Sequence, residues 1–156
     1  MKYWLLKTEG DVYPIEQLEK DKKTPWSGVR NFKARNYMRD EMQVGDLCLF
    51  YHASTKVTGV YGVAKVVSHS YPDPSQFDRK SDYYEPRASE DHPIWMLVDV
   101  AFVKKFKHPV TVPEMKEDAS LKDMILWKAP RLSIQPVTKK DFDRIIQKET
   151  NKNVLF

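Results

Sequence analysis

The sequence has little cysteine, little glycine and no long apolar run, and each shortage excludes a class of protein. Its 156 residues include one cysteine, Cys48, which excludes an intrachain disulfide framework and a thiolate zinc cluster. Gly59 and Gly62 lack the further glycine and the lysine of a phosphate-binding loop. No apolar run approaches the roughly 18 residues that a membrane span needs, and the apolar N-terminal stretch is too short for a secretory signal. We therefore expect no membrane partner and a protein that is not secreted, cytoplasmic in a bacterium or nuclear in a eukaryote.

Signatures of catalysis and of metal binding are also missing. The four histidines are scattered without the spacing of metal ligands, so neither a metal nor a cofactor is expected. The GxSxG motif of a nucleophilic serine is absent, and Cys48 lies inside an apolar strand, where a thiol is usually inert. No pair of carboxylates stands in a context that indicates acid–base chemistry. The sequence predicts no catalytic residue and a protein that is not an enzyme.

The apolar residues that are present suffice for one core. Hydrophobic residues make up 41% of the chain, and a chain of this length buries roughly 70% of its extended surface on folding. Predicted strands outnumber predicted helices and do not alternate with them regularly, which favours a one-domain α+β protein. The domain is expected to span residues 1–150, followed by a fraying C-terminal tail over 151–156.

Local patterns predict where the elements lie. Apolar and β-branched runs predict strands over residues 2–8, 47–51, 57–69, 94–106 and 132–135. Capping and proline signals predict helices after Pro14, after Asn31 over 32–41, over 113–117 and after Thr138. The segment 71–93, which is rich in proline and in charges of both signs, is predicted as an extended loop across one face.

Positive charge is concentrated in one segment. The net charge is only +4, which favours a polyanionic partner mildly. Residues 26–39, however, contain no acid, and aromatic side chains alternate there with Arg30, Lys33, Arg35 and Arg39. Such a run is either a solvated surface or a surface that binds single-stranded nucleic acid, and the sequence leaves both interpretations open. A second cluster over residues 104–108 is interpreted as a solvated strand end.

Trp26 stands in a turn-like sequence ahead of this basic segment. Its indole either anchors the loop to the core or offers a stacking platform, which is worth about 1–3 kcal/mol per nucleobase. A base taken out of its stack loses a few kcal/mol, so a second aromatic wall is expected. The candidates for this wall are Tyr51, Tyr71, Tyr84 and Trp95, although the alternation around Trp95 favours a place in the core.

Several runs of residues, in order along nearly the whole chain, resemble the EVE domain family of the PUA-like superfamily. The runs are KYWLLKTE (2–9), TPWSGVRNFKARNYMR (24–39), VGDLCLFYH (44–52), GVAKV (62–66), YPDPSQFD (71–78), YYEP (83–86), WMLVDVAF (95–102) and RLSIQPVT (131–138). The chain departs from the family pattern at Gly10, where a proline usually follows the KTE triplet.

The resemblance implies a fold and a ligand. The implied fold is a PUA-like small mixed β-barrel of five to six strands, flanked by short helices. It also implies kinship with the YTH domain, which holds a methylated adenine in an aromatic cage. By that kinship Trp26 is a cage wall, Ser27 is a polar contact, and Lys7 and Thr8 line the rim. The base that EVE domains are implied to read is usually a modified cytosine, 5-methyl or 5-hydroxymethyl, and its identity stays open.

The sequence and the resemblance together predict a non-catalytic, monomeric module that reads a modified base in DNA or RNA. The predicted base pocket comprises Trp26, Ser27, Lys7, Thr8, Asn31, Tyr51, His52, Tyr71 and Tyr84. The predicted phosphate contacts are Arg30, Lys33, Arg35 and Arg39. Two alternatives stay open: an enzyme that acts on a modified nucleoside with Asp73 or Glu9 as acid or base, and a protein–protein adaptor that uses residues 71–93.

Overall fold

A computed structural model describes the backbone of residues 1–155 and the side chains of residues 1–153. The strands are β1 Tyr3–Glu9, β2 Lys23–Pro25, β3 Leu47–Ala53, β4 Gly59–Val66, β5 Tyr71–Pro72, β6 Met96–Leu97, β7 Asp99–Thr111 and β8 Ile134–Val137. The α-helices are α1 Ile15–Asp21, α2 Phe32–Asn36, α3 Val112–Glu117, α4 Ile125–Lys128 and α5 Lys139–Leu155. Shorter helical turns are a π-turn Tyr37–Glu41 and 3-10 turns Pro74–Phe77 and Ala119–Leu121.

Six of the strands form one curled sheet in the order β2-β7-β4-β3-β1-β8, and β5 pairs with β6 separately. β1 runs parallel to β3 and antiparallel to β8, whereas β3, β4, β7 and β2 pair antiparallel in turn. A mixed sheet of six strands with short helices against it confirms the predicted α+β class and the PUA-like half-barrel.

The central strands are buried on both faces, which explains their nearly continuous apolar sequence. Trp4 and Leu6 of β1 pack in one cluster, which α1 covers with Ile15. Leu5 packs in the other cluster, which α5 covers with Ile145. β1 therefore directs core side chains alternately to the two faces of the sheet. Its C-terminal end, Lys7 to Glu9, is less buried than its centre.

The strand pattern differs from the prediction at two places. Lys23–Pro25 has the composition of a turn but forms the edge strand β2 on β7, where Thr24 pairs with Val100. An edge position tolerates Pro25 because no further strand needs its missing N–H. The predicted strand 94–106 is interrupted at Val98, whose carbonyl accepts a hydrogen bond from the backbone N–H of Trp26 at 2.9 Å.

The segment 71–93 consists mostly of turns and irregular backbone, as expected of a loop, but its start is folded and anchored. It contains β5 and the 3-10 turn Pro74–Phe77, and its Gln76 side chain is fully buried. The Gln76 amide donates to the carbonyl of Trp95 at 2.7 Å and accepts from the backbone N–H of Ile94 at 2.9 Å. The side chain of Gln76 therefore fastens the start of this segment to its end.

The two predicted caps are present, but the helices that follow them differ from the prediction. Asn31 accepts from the backbone N–H of Ala34 at 3.0 Å, and α2 continues as a π-turn after Asn36. The α5 helix, whose Asp141 N–H donates to Thr138 at 3.1 Å, does not end at residue 150. It continues through Leu155, so the boundary predicted at residue 150 falls inside this helix; residue 156 lies outside the described residues. Within the described chain, no helix combines the length and the apolar character that a bilayer crossing requires.

Candidate nucleic-acid interface

A cleft of about 730 Å³ opens where β1 ends beside the loop that follows β2. This volume lies within the range of about 300–1,000 Å³ that small-molecule pockets occupy, and it accommodates a nucleobase. Four segments line it, residues 7–9, 12–13, 24–30 and 53–54, together with Tyr83 and Ser133. The sequence-predicted residues Lys7, Thr8, Trp26 and Ser27 are therefore brought together.

Trp26 is both anchored to the core and part of the cleft. Its half-buried indole packs edge-on against Phe50, with ring centroids 5.7 Å apart, and against Tyr13 at 6.3 Å. Among the described residues, none accepts a hydrogen bond from its indole N–H. The two interpretations of Trp26 that the sequence left open are thus compatible, because the same side chain closes the core and forms a wall of the cleft.

Tyr83 lines the cleft together with the aromatic residues Trp26 and Tyr13, and the sequence did not single it out. It lies over Gly28, where a Cβ atom would come within 3.0 Å of the Tyr83 ring. Gly28 also has a φ of +81°, a conformation that favours glycine. The sequence named the neighbouring Tyr84 instead, because the direction of a side chain in an irregular segment has no periodic signal.

Asp73 holds the loop that carries Trp26. Its carboxylate is 1% exposed and accepts from the backbone N–H of Gly28 at 2.9 Å, from Arg30 Nη1 at 3.1 Å and from the backbone N–H of Ser75 at 2.9 Å. Burial would raise the pKa of Asp73, but the hydrogen bonds from Ser75, Gly28 and Arg30 outweigh it and hold the pKa below its ordinary value. The carboxylate therefore stays ionised and fully engaged.

Arg30 is occupied by internal contacts. Its Nη2 donates to Ser75 Oγ at 3.0 Å and to the carbonyl of Tyr83 at 2.9 Å. Its guanidinium carbon lies 5.2 Å from the ring centroid of Tyr83 and 5.2 Å from that of Trp95. Arg30 thus fixes Tyr83 beside the cleft, and this geometry does not leave it free for a phosphate.

The other predicted phosphate contacts differ in availability. Arg35 donates to the carbonyl of Ile94 at 2.9 Å and lies over the Phe32 ring at 4.8 Å. Arg39 pairs with Asp40 at 2.8 Å. Lys33 is exposed, and no described residue forms an ion pair or a hydrogen bond with its ammonium group. Of the four side chains, only that of Lys33 is therefore without a polar partner among the described residues.

Five of the predicted pocket residues do not line the cleft. Asn31 caps α2, and Tyr51 is buried in the core cluster that α5 covers. Tyr71 donates to Asp99 Oδ1 at 2.5 Å, and Tyr84 is exposed outside the cleft. His52 accepts from the backbone N–H of Ile15 at 3.1 Å and stacks on a tyrosine ring at 3.8 Å, and burial lowers its pKa.

Lys7 lines the cleft, and Arg131 follows Pro130 in the turn that Lys7 contacts. Lys7 donates to the carbonyl of Pro130, and its backbone N–H donates to the carbonyl of Ser133 at 2.9 Å. Arg131 lies between these two contacts, exposed and without an ion-pair partner among the described residues. The sequence gave no signal for Arg131, because Lys7 and Pro130 are 123 residues apart in the chain.

In the described part of the chain, no group of three histidine, cysteine or carboxylate side chains is placed to bind one metal ion. Glu9 is the one carboxylate among the described residues that line the cleft. Asp73, the other acid–base candidate, lies outside the lining and is engaged by its hydrogen bonds.

Comparison with known proteins agrees with the architecture. The family model of the EVE domain matches residues 2–148. The chain belongs to the EVE domain family. This EVE domain is 37% identical to human thymocyte nuclear protein 1 over 166 residues, which cover 94% of this chain and 73% of that protein.

Solved structures are similar to this EVE domain over almost its whole length. A hypothetical protein from Leishmania major superposes with a TM-score of 0.94 at 41% identity, covering 98% of this chain and 97% of that one. A crystal structure of human THYN1 in complex with DNA that contains 5-methylcytosine superposes with a TM-score of 0.88 at 36% identity, covering 96% of this chain and 98% of that one.

Proposed function

We propose that this EVE domain binds nucleic acid, DNA or RNA, and reads a modified cytosine in the cleft without catalysing a reaction. The observation that carries the proposal is a cleft of about 730 Å³ with Trp26 in its wall, in a chain similar to a human protein crystallised with 5-methylcytosine DNA. A base reaches such a cleft only when it leaves its stack, so the proposed ligand is a single strand or a flipped nucleotide.

The roles follow from the positions in the cleft. Trp26 supplies one stacking wall and Tyr83, held by Arg30, supplies the second. Ser27 and Thr8 supply polar contacts, and Lys7 stands at the margin. Each stacked aromatic is worth about 1–3 kcal/mol, so two walls offset the few kcal/mol that an unstacked base loses.

The methyl group alone does not give strong discrimination. Burying one methyl group contributes roughly 0.8 kcal/mol, which is less than tenfold in affinity. A reader therefore also needs a shape or an unpaired polar group that disfavours the unmodified base. Trp26 and Tyr83, which both line the cleft, would supply such a shape.

A pair of carboxylates, or a carboxylate beside a histidine or a cysteine, would be typical of catalysis on a base. Among the described cleft residues there is no histidine or cysteine, and Glu9 has no second carboxylate beside it. These observations favour a binding function over the enzyme alternative. Incubation with modified nucleosides followed by mass analysis is expected to leave every mass unchanged.

Fluorescence anisotropy with labelled single-stranded oligonucleotides at fixed salt tests the proposal. The oligonucleotides differ only in the central base, which is cytosine, 5-methylcytosine, 5-hydroxymethylcytosine, adenine or N6-methyladenine. We expect one modified cytosine to bind at least about tenfold more tightly than cytosine, which is about 1.4 kcal/mol. Equal weak binding across the set would contradict the proposal.

The phosphate contacts are expected at Arg131 and Lys33 instead of at the engaged arginines. Replacing Arg131 with alanine is expected to weaken all oligonucleotides alike and to reduce the slope of log affinity against log salt by roughly one unit. Arg39→Ala is the matched control, because the charge of Arg39 is compensated by Asp40. A slope that falls in the Arg39 variant and not in the Arg131 variant would reverse this assignment.

A pair of glycine substitutions tests the position of Tyr83. Gly28→Ala and Gly45→Ala both place a side chain at positive φ, +81° and +98°, but an added Cβ meets the Tyr83 ring at Gly28 and nothing within 4 Å at Gly45. Both variants are expected to lose about 1–2 kcal/mol of stability from backbone strain. Only Gly28→Ala is expected to weaken binding of the modified base, measured by anisotropy at a temperature where both variants are folded; equal binding by the two would remove Tyr83 from the site.

A further inference from the structure

A cleft that selected 5-methylcytosine only by its methyl group would also bind thymine. Thymine is 5-methyluracil, and it presents the same methyl group and the same ring outline as 5-methylcytosine. The two bases differ at position 4, where cytosine has an amino donor and thymine a carbonyl acceptor. Aromatic walls and a methyl pocket therefore do not distinguish them, and a polar group of the protein must do so.

Glu9 is the cleft residue whose chemistry fits this difference. An ionised carboxylate only accepts hydrogen bonds, whereas the hydroxyl groups of the cleft both donate and accept. The backbone carbonyl of Glu9 accepts from the N–H groups of Val12 and Tyr13, both at 2.9 Å, which fixes the residue at the end of β1. Among the described residues, none donates to its carboxylate.

Lys7 provides the complementary donor. Lys7 and Glu9 lie on the same side of β1, about 7 Å apart along the strand, because side chains alternate with a rise of roughly 3.3 Å per residue. An ammonium group has three donors, and the carbonyl of Pro130 takes one of those on Lys7. The pair thus offers one acceptor and free donors side by side at the rim.

This order of charges matches the edge of cytosine. Its amino group donates, and its ring N3 and O2 accept. Thymine places a carbonyl where cytosine has the amino group and an N–H where cytosine has the acceptor N3. Opposite Glu9 and Lys7, thymine would therefore set an acceptor against the carboxylate and a donor against the ammonium group, and both polar groups would lose their partners.

We propose that Glu9 accepts a hydrogen bond from the exocyclic amino group of the bound base and thereby sets the preference of the cleft for cytosine bases over thymine and uracil. The assignment rests on the proposed function for the location of the base. It is independent of the methyl group, because cytosine and uracil differ at the same position as 5-methylcytosine and thymine.

Four oligonucleotides separate the preference for an amino base over a carbonyl base from the preference for a methylated base. Their central base is cytosine, 5-methylcytosine, uracil or thymine, and the protein is the full chain, as wild type, Glu9→Gln and Asp11→Asn. Glutamine keeps the shape of glutamate but its amide both donates and accepts, so it satisfies either base. Asp11→Asn removes the same charge from a nearby carboxylate that bonds to Thr55 at 3.2 Å and does not line the cleft.

In the wild type we expect the amino bases to bind at least about tenfold more tightly than the carbonyl bases, in line with the cost of a mismatched polar edge. In Glu9→Gln this ratio is expected to fall close to one, whereas the preference for methylated over unmethylated bases is expected to persist. Removing a negative charge strengthens binding of every oligonucleotide, but this effect cancels in the ratio, and Asp11→Asn shows its size.

The outcomes distinguish the inference from the proposed function. A wild type that ignores the methyl group but prefers amino over carbonyl bases, with loss of that preference in Glu9→Gln, would overturn the proposed reading of the modification and support the role of Glu9. A wild type without preference between amino and carbonyl bases overturns the role of Glu9, as does an unchanged ratio in Glu9→Gln. Glu9→Ala removes the acceptor altogether, and its ratio of affinities for amino over carbonyl bases is also expected to fall close to one. This variant shows whether the effect of Glu9→Gln is peculiar to glutamine.

Discussion

Replacing Trp26 with alanine is expected to abolish the preference for modified cytosine and to leave the salt-dependent background binding in place. The variant loses one of two stacking walls, worth about 1–3 kcal/mol, or roughly 5- to 150-fold in affinity for the bound base. Binding to phosphates is expected to persist, because the proposed contacts Arg131 and Lys33 are retained. The measurement is anisotropy with the cytosine and 5-methylcytosine oligonucleotides.

Phe32→Ala is the matched control for this experiment. Phe32 is also a large aromatic residue of the basic segment and is 51% exposed, but it stacks on Trp95 and does not line the cleft. Its variant is expected to keep the preference for the modified base. Because Trp26 contacts Phe50 in the core, thermal unfolding must show that Trp26→Ala is folded; Trp26→Phe, which keeps an aromatic face, is expected to recover part of the preference. A Trp26→Ala variant that prefers the modified base as strongly as the wild type would place the base elsewhere.

Replacing Asp73 with asparagine is expected to give the largest loss of stability. Breaking a buried ion pair on one side costs about 3–5 kcal/mol, which corresponds to roughly 10 °C in Tm for a chain of this size. The asparagine amide would place a donor against the N–H groups of Gly28 and Arg30. Asp82→Asn, in the same segment and exposed, is the control and is expected to change Tm little.

The effect of Asp73 depends on pH in a defined direction. Its pKa in the folded protein lies below the ordinary value of 3.8. A lowered pKa contributes stability that is fully present above the unfolded pKa and is lost as the pH falls through the folded pKa. The difference in Tm between wild type and Asp73→Asn is therefore expected to be constant near neutral pH and to shrink below about pH 4. A difference that grows on acidification would contradict the assignment of an ionised carboxylate.

The fold was predictable where local pattern and burial agree. β1 and β3 are apolar on both faces, and Asn31 and Thr138 are caps with a direct sequence signature. The place of Trp26 in the site came from the TPWSG motif and its resemblance to a family. The edge strand β2 was not predictable, because its pairing with β7 is made by backbone groups whose partners are remote in the chain.

The charges of the site were harder to predict than its aromatic residue. Arg30 and Arg35 belong to a run without acids, which indicated an outward, cationic face. In the structure Asp73 and the carbonyl of Ile94 turn these guanidinium groups inward, and both partners are remote from them in sequence. A local charge pattern does not reveal a buried carboxylate that is remote in the sequence. The sequence therefore assigned Arg30 to a phosphate, although Asp73 compensates its charge. It also gave no signal for the exposed positive charge of Arg131.

The cleft is assembled from residues that are far apart in the sequence, and this has a consequence for synthesis on the ribosome. β1 contributes Lys7 and Thr8, but it pairs with β3 in parallel and with β8, which ends at Val137. A nascent chain that has not yet released β8 lacks Ser133 and the turn that holds Lys7. Because domains complete their folding only when their long-range partners have emerged, we expect the cleft to form, and the proposed binding to arise, only after β8 has left the ribosome.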